Sequence, residues 1–368
     1  MTRPRWRDGW VFSAREDLLW FLGPVVVAAV VALVAWRTGT LDADLPPWAF
    51  LLLVVGCDVA HVWGTAFRTY LDPLVRARRG GLLLAVPLAC LAAGVLLHAQ
   101  GPDVFWRALA YVAAFHFVRQ PWGWMAYAAR RAGETSRLDR GLDVVAIHAV
   151  SLYPLLWWHA HLPRAFVWFR PDDFAAGLAS EVVDVAGVLH VAILVAWLVR
   201  QAVRFATGQG VNRAKALVLG STAAVWYGGI VVLDSDVVFT TSNVLAHGVP
   251  YLALVHRYGR SRWRGAGGAL GRVFARPGVA LYVGALVAVA YVEEACWDGL
   301  VWHQHAGAFP LPAVDVPAAL LSLVVPLLAL PQATHYVLDA FVWRSRGDAD
   351  LRAALHLGDP VTPRARPA

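Results

Sequence analysis

Apolar runs of about 20 residues alternate with short polar segments from one end of the chain to the other. At about 1.5 Å per helical residue, such a run spans the roughly 30 Å hydrocarbon core of a bilayer. The pattern predicts an all-α, polytopic membrane bundle of about ten transmembrane helices, at 19–36, 47–67, 81–99, 104–128, 141–160, 178–200, 214–233, 236–256, 278–297 and 317–343. Gly80-Gly81, Pro171, Gly208–Gly210 and Gly265–Gly268 punctuate the connections. The segment from Arg257 to Pro277 is basic and glycine-rich and reads as a mobile loop. After Arg346 the chain turns polar and carries Pro360, Pro363 and Pro367, which predicts a short amphipathic helix followed by disorder. The expected organisation is one transmembrane bundle over residues 1–346 and a polar cytoplasmic tail over residues 347–368. The first apolar run lacks a small-residue cleavage site and reads as a retained span.

Composition agrees. The chain is 59% hydrophobic and only 15% charged, whereas soluble domains carry about 25% charged residues. The formal charge of +7 raises nucleic acid as a partner, and the distribution removes it. Most of the 32 basic residues fall in six clusters, Arg3–Arg15, Arg68–Arg79, Arg130–Arg140, Arg200–Lys215, Arg257–Arg276 and Arg344–Arg366, on alternate sides of the spans. The intervening loops hold few basic residues and several acids, among them Asp42, Asp44, Asp103, Asp172, Asp234 and Asp298. This is a positive-inside pattern that places both termini in the cytoplasm and requires an even number of spans. Scarce lysine beside abundant Arg, Ala and Val fits a GC-rich bacterial source, so the expected location is the bacterial cytoplasmic (inner) membrane, with membrane lipids as surroundings. Cys57, Cys90 and Cys296 have no paired spacing and read as small buried hydrophobes. Many of the 18 tryptophans fall near span ends, where an aromatic belt belongs.

The candidate chemistry lies inside the spans, where polar side chains are costly and mark function. Counted back from the basic residue closing each span, His61, His335, His247 and His116 lie about 10–20 Å above the cytoplasmic boundary. All four are on helices running in the same direction, so the imidazoles share one slab. Each has a polar residue three or four positions away: Asp58 for His61, Asp339 for His335, Asn243 for His247 and Gln120 for His116. Those spacings stack side chains on a helix face. An imidazole that binds a metal usually donates its other N–H to a carboxylate or carbonyl. Imidazole with carboxylate suits iron, manganese or zinc. The expected centre is a metal held by His61, His116, His247 and His335, with Asp58 and Asp339 orienting or completing the set. Tyr251 and Arg119 are the candidates for handling protons or an anionic intermediate, and Arg119 either snorkels or pairs with Asp58 or Asp339. His148 and His190 lack such partners and read as core polar residues. His159, His161, His303 and His305, toward the outer face, form either a second metal site or solvated loop positions. Adjacent Glu293 and Glu294 cannot face one way, and one is expected to face the bundle interior. Membrane desaturase histidine boxes, zinc-protease motifs, haem-attachment motifs and phosphate-binding glycine loops are all missing from the sequence.

Four motifs occur in order: CDVAHVWGTAFRTYLD at Cys57–Asp72, FHFVRQPWGW at Phe115–Trp124, SNVLAHGVPYLALVHRYG at Ser242–Gly259 and LPQATHYVLDAFVWR at Leu330–Arg344. They resemble, distantly, those of the bacterial Brp/Blh family, multi-span membrane enzymes that cleave β-carotene to retinal. Three details differ from that family's pattern: Asp58 precedes His61, no second histidine lies one turn from His247, and His335 and Asp339 are four apart. The resemblance implies non-haem Fe(II), molecular oxygen as co-substrate, a long apolar polyene, and ligand roles for His61, His116, His247 and His335. The function expected is a membrane-embedded non-haem iron oxygenase acting on a lipophilic lipid or isoprenoid taken from the bilayer. A proton-coupled transporter using the intramembrane His, Glu and Asp residues is the alternative, and a haem-binding electron carrier a third.

Overall fold

The computed structural model describes residues 6–305 and 307–357. The chain is a bundle of long helices: α1 (Ala14–Thr38), α2 (Pro47–Arg68), α3 (Pro73–Gln100), α4 (Pro102–Arg131), α5 (Arg137–Ala160), α6 (Ser180–Ala206), α7 (Arg213–Val232), α8 (Asp236–Trp263), α10 (Val279–Trp302) and α11 (Ala318–Val342). Two short helices, α9 (Gly268–Val273) and α12 (Ala349–Ala354), lie on the cytoplasmic side. The sole strand pairing among the described residues joins β1 (Trp6–Arg7) to β2 (Val211–Asn212). Among the described residues, nine helices are long and apolar enough to cross a membrane. The tenth predicted span is α4, which has 30 residues but carries Arg107, His116, Arg119 and Gln120 through its length. It packs against α3, α5, α7 and α11 within the bundle.

Burial separates the helices into two kinds. In α3 and α6 only 17% of the most apolar stretch is buried, and Leu84, Leu88, Val188 and Leu189 stand exposed. Such continuous apolar surface is compatible with lipid rather than water. In α8 the buried share is 61%, and this helix packs against α1, α2, α7 and α12. The four histidines singled out above lie on α2, α4, α8 and α11, and all four are buried.

Small residues set how closely those helices approach, as is common between membrane helices. A Cβ on Gly248 of α8 would lie 2.7 Å from Cys57 Sγ and 3.2 Å from the Cys57 carbonyl oxygen. Cys57 belongs to the π-helical stretch Phe50–Val59 of α2. Gly248 therefore lets α8 touch the backbone of α2 one residue from His247.

On the cytoplasmic side, side chains cap the helix starts. Asp72 accepts from Leu74 N and Val75 N at the start of α3, Ser136 from Asp139 N before α5, and Asn212 from Lys215 N before α7. Each satisfies backbone N–H groups that have no partner within the helix. Two charge networks lie at this level. In one, Lys215 Nζ meets Glu134 at 2.5 Å and Asp143 at 2.6 Å, while Arg204 meets Asp139 at 2.8 Å and Glu134 at 3.1 Å. Arg200 adds a second guanidinium to Asp139 at 2.6 Å. In the other, Arg68 joins Asp348 at 2.5 Å and Tyr258 Oη at 3.0 Å, and Tyr258 and Arg262 both donate to Asp72.

Two expectations change here. The segment after Arg257 is not an open loop: α8 continues to Trp263, and Trp263 and Phe274 are buried and stacked with ring centres 5.0 Å apart. Phe274 sits where a side chain on Gly259 would be, so the absent Cβ makes this corner possible. The polar tail begins with the short helix expected, but Leu351, Ala354, Leu355 and Leu357 are buried in one cluster with Val11, Phe12 and Tyr258. The disorder expected beyond it falls on residues 358–368, outside the described residues.

Candidate metal centre

Four imidazoles from four helices meet inside the bundle. His61 lies 4.7 Å from His247 and 4.9 Å from His335 between ring centres. His116 lies 5.0 Å from His247 and 4.7 Å from His335. All four are buried. The Nε2 atoms of His61, His116, His247 and His335 are each shielded from solvent and each without a hydrogen-bond partner. A buried polar atom left unmatched costs about 1–3 kcal/mol, so four in one place need an explanation.

A bound cation would satisfy such atoms. An imidazole nitrogen sits about 2.1 Å from a bound zinc-like ion. Its ring centre then lies about 3.2 Å from that ion, which puts neighbouring rings about 4.6 Å apart in a square set and about 5.3 Å in a tetrahedral one. The four spacings observed fall between those limits. Ligand atoms of His61, His247 and His335 lie within 4.8 Å of one another, as do those of His116, His335 and Asp339; among the described residues no other such group occurs, and neither holds all four imidazoles, so His335 links two overlapping triads.

The surroundings fix the rings. His247 stacks on Phe117 with ring centres 3.7 Å apart and planes 11° from parallel. His335 Nδ1 lies 2.7 Å from Thr65 Oγ1, Thr65 Oγ1 lies 2.8 Å from Tyr251 Oη, and Tyr251 Oη donates to Asp339 Oδ1 at 2.9 Å. Each hydroxyl has one proton to give. Tyr251 gives its proton to Asp339, so Thr65 gives its own to Tyr251, and His335 must supply the proton between itself and Thr65. That places the His335 proton on Nδ1 and leaves Nε2 with a bare lone pair, the form that binds a metal. Trp343 Nε1 donates to Asp339 at 3.2 Å and steadies the far end of the relay.

The histidines converge as the shared depth predicted, but their same-helix partners mostly do not serve them. Asp58 Oδ1 is 3.6 Å from His61 Nδ1, too long for a hydrogen bond. Asp58 lies in the π-helical stretch Phe50–Val59, whose turn is wider than an α turn. Asp339 is 3.7 Å from His335 Nδ1 and acts on it through Thr65 and Tyr251. Asn243 Nδ2 bonds the Phe239 carbonyl of its own helix, and Gln120 Nε2 bonds the His247 backbone oxygen across to α8. Arg119 pairs with neither Asp58 nor Asp339; it is exposed and lines the adjoining cavity. Tyr251 holds the middle of the relay. Thr65, Trp343 and Tyr336 were not singled out from the sequence. Thr65 stands four residues after His61 and Tyr336 adjoins His335, so both spacings were available as signals.

The remaining polar residues lie elsewhere. His148 and His190 bond the carbonyls of Val144 and Ala149. His159 bonds Tyr111 Oη, His161 the Trp157 carbonyl, and His305 stacks on Phe50. Glu293 turns toward α2 and accepts from Trp63 Nε1 at 2.5 Å.

A cavity of about 920 Å³ opens beside the cluster, with His116, Tyr251, Tyr336 and Asp339 in its wall. No family model matches the chain, and neither does any curated protein or solved structure.

Proposed function

We propose that the chain is a membrane-embedded, metal-dependent oxygenase, with its ion held by His61, His116, His247 and His335 and a lipophilic substrate drawn from the bilayer. The observation that carries this reading is the set of four buried, unpartnered Nε2 atoms on four helices, beside a cavity large enough for a lipid chain. Fe(II) is the ion we assign and molecular oxygen the co-substrate; manganese and zinc accept the same donors. The motif resemblance to the Brp/Blh enzymes points the same way, toward iron, oxygen and a long apolar substrate. When bound, ferrous iron supplies one-electron redox chemistry toward oxygen.

The chain's own residues hold, orient and protonate. Phe117 fixes the plane of the His247 ring, and Thr65 fixes the tautomer of His335. Tyr251 and Asp339 both reach the cavity wall, so this hydrogen-bonded pair stands beside the space a bound molecule would fill. Arg119 brings a positive charge to the same cavity three residues after His116. The apolar side chains around the cluster keep bulk water from the reacting carbon.

The test is anaerobic loading of the purified full chain with Fe(II), followed by oxygen uptake in the presence of a membrane lipid extract. The expected result is uptake with both atoms of each oxygen molecule recovered in lipid products, abolished by His61→Ala and by His335→Ala. Uptake in either variant equal to that of the wild type contradicts the assignment. The rival carrier reading draws on Glu293, held between α10 and α2 by Trp63; it predicts proton-coupled flux in proteoliposomes without any lipid product.

A further inference from the structure

The cavity beside the histidines is polarised along its length. Its wall on α4 includes His116, Gln120, Gly123, Tyr127 and Arg130. From His116 to Arg130 is about 21 Å at the helical rise. One end holds His116, Tyr336 and Asp339; the other is rimmed by Arg137, Arg140, Arg344 and Arg346. These four arginines are exposed and form no ion pair among the described residues. The acids near them are already committed. Glu134 and Asp143, which also line the cavity, are bound by Lys215 and Arg204. Asp348 is bound by Arg68, and Asp350 lies 3.5 Å from Arg78. Among the described residues the rim is therefore cationic with no counter-charge of its own, while Trp122, Trp124, Tyr127, Leu254 and Trp343 give the middle an aromatic and aliphatic wall.

Basic residues at a cytoplasmic membrane edge are expected from topology alone. Topology does not place them around the mouth of a cavity that ends at a metal-type cluster. We propose that the substrate is an amphipathic lipid with an anionic phosphate or carboxylate headgroup. Its head is held at the cytoplasmic rim by Arg137, Arg140, Arg344 and Arg346, and its chain runs along α4 to the histidines. Along α11 the rise from Arg344 to His335 is about 14 Å and along α4 the run is about 21 Å, so at about 1.2 Å per chain bond roughly 11–17 carbons separate the head from the histidines. This rests on the reading above that the histidine cluster is the reaction centre, and it narrows the lipophilic substrate to one with a charged end.

The experiment uses the full chain in detergent and two probes of equal length, hexadecyl phosphate and hexadecanol, with binding followed by tryptophan fluorescence. The expected result is preference for hexadecyl phosphate. Replacing the rim pair, Arg137→Gln with Arg140→Gln, weakens that probe roughly tenfold or more and leaves hexadecanol unchanged. Gly123→Trp places an indole in open space within the cavity wall, and is expected to weaken both probes. Equal affinity for the two probes, or hexadecyl phosphate binding untouched by the arginine pair or by Gly123→Trp, overturns the proposal. So does inorganic phosphate alone binding as tightly as hexadecyl phosphate. Metal content is measured on the same samples: metal retained without headgroup preference sinks the lipid proposal alone, and a wild-type chain that takes up no metal sinks the oxygenase reading.

Discussion

Two of the polar clusters inside this bundle are built on opposite terms. The cytoplasmic network of Glu134, Asp139, Asp143, Arg200, Arg204 and Lys215 is closed: each of these charges meets an opposite one at 3.1 Å or less. The histidine cluster is open, since four Nε2 atoms point to no donor or acceptor of the protein. A closed network fastens helices together and has nothing left to bind. An open one at similar burial carries an energetic debt that a cation would discharge, and this difference separates a structural fastening from a site.

The comparison can be broken by exchanging the roles. The largest effect is expected from His335→Ala, which removes one imidazole common to both candidate ligand groups; metal content should fall from about one per chain to near zero by elemental analysis. Lys215→Met leaves Asp143 without its cation and Glu134 with Arg204 alone. Removing one partner of a buried pair costs about 3–5 kcal/mol, so the variant should unfold at lower temperature, yet its folded fraction should keep its metal. If Lys215→Met lost metal as fully as His335→Ala, the two clusters would not be separable.

A subtler exchange is Gly248→Val. It touches no ligand but forces α8 off Cys57, and should lower metal occupancy by separating His247 from His61. Smaller again is Thr65→Val, which cuts the relay that holds the His335 tautomer. Loss of such a hydrogen-bonding partner weakens metal binding by roughly 10–100-fold, measurable by competition with a chelator.

The smallest effect concerns acid stability at the second charge network. Burial pushes the Asp72 carboxyl up, but hydrogen bonds from Arg262 and Tyr258 outweigh it and hold the group below its ordinary value of 3.8. A depressed carboxyl contributes stability above its unfolded value and loses it as pH falls through the folded one. Wild type should therefore exceed Asp72→Asn in thermal stability at neutral pH, with the gap closing below about pH 4.

Much of this was legible in the chain. Hydrophobic runs located all ten long helices, including α4, and a count of residues from each basic end placed His61, His116, His247 and His335 in one slab. Depth is a property of a helix taken singly, so sequence reports it. Which side chain meets which across helices depends on rotation about each axis, and that is set by packing. The same-helix rule accordingly nominated Asp58 and Gln120, whereas the structure gives His335 to Thr65 on α2 and Gln120 to the backbone of α8. The wide turn before His61 has no residue signature of its own. Arg68 with Asp348, 280 positions apart, and the docking of α12 were hidden for the same reason.

The central claim is that imidazoles from α2, α4, α8 and α11 share one ion. X-ray absorption at the metal edge of the purified full chain, with metal stoichiometry determined on the same sample, tests it most directly. The account predicts about one transition-metal ion per chain, with imidazole scattering from three or four nitrogens at about 2.1 Å, and its disappearance in His61→Ala. A chain that folds, binds no metal at any tested loading, or holds one whose spectrum is unchanged by His61→Ala, contradicts it.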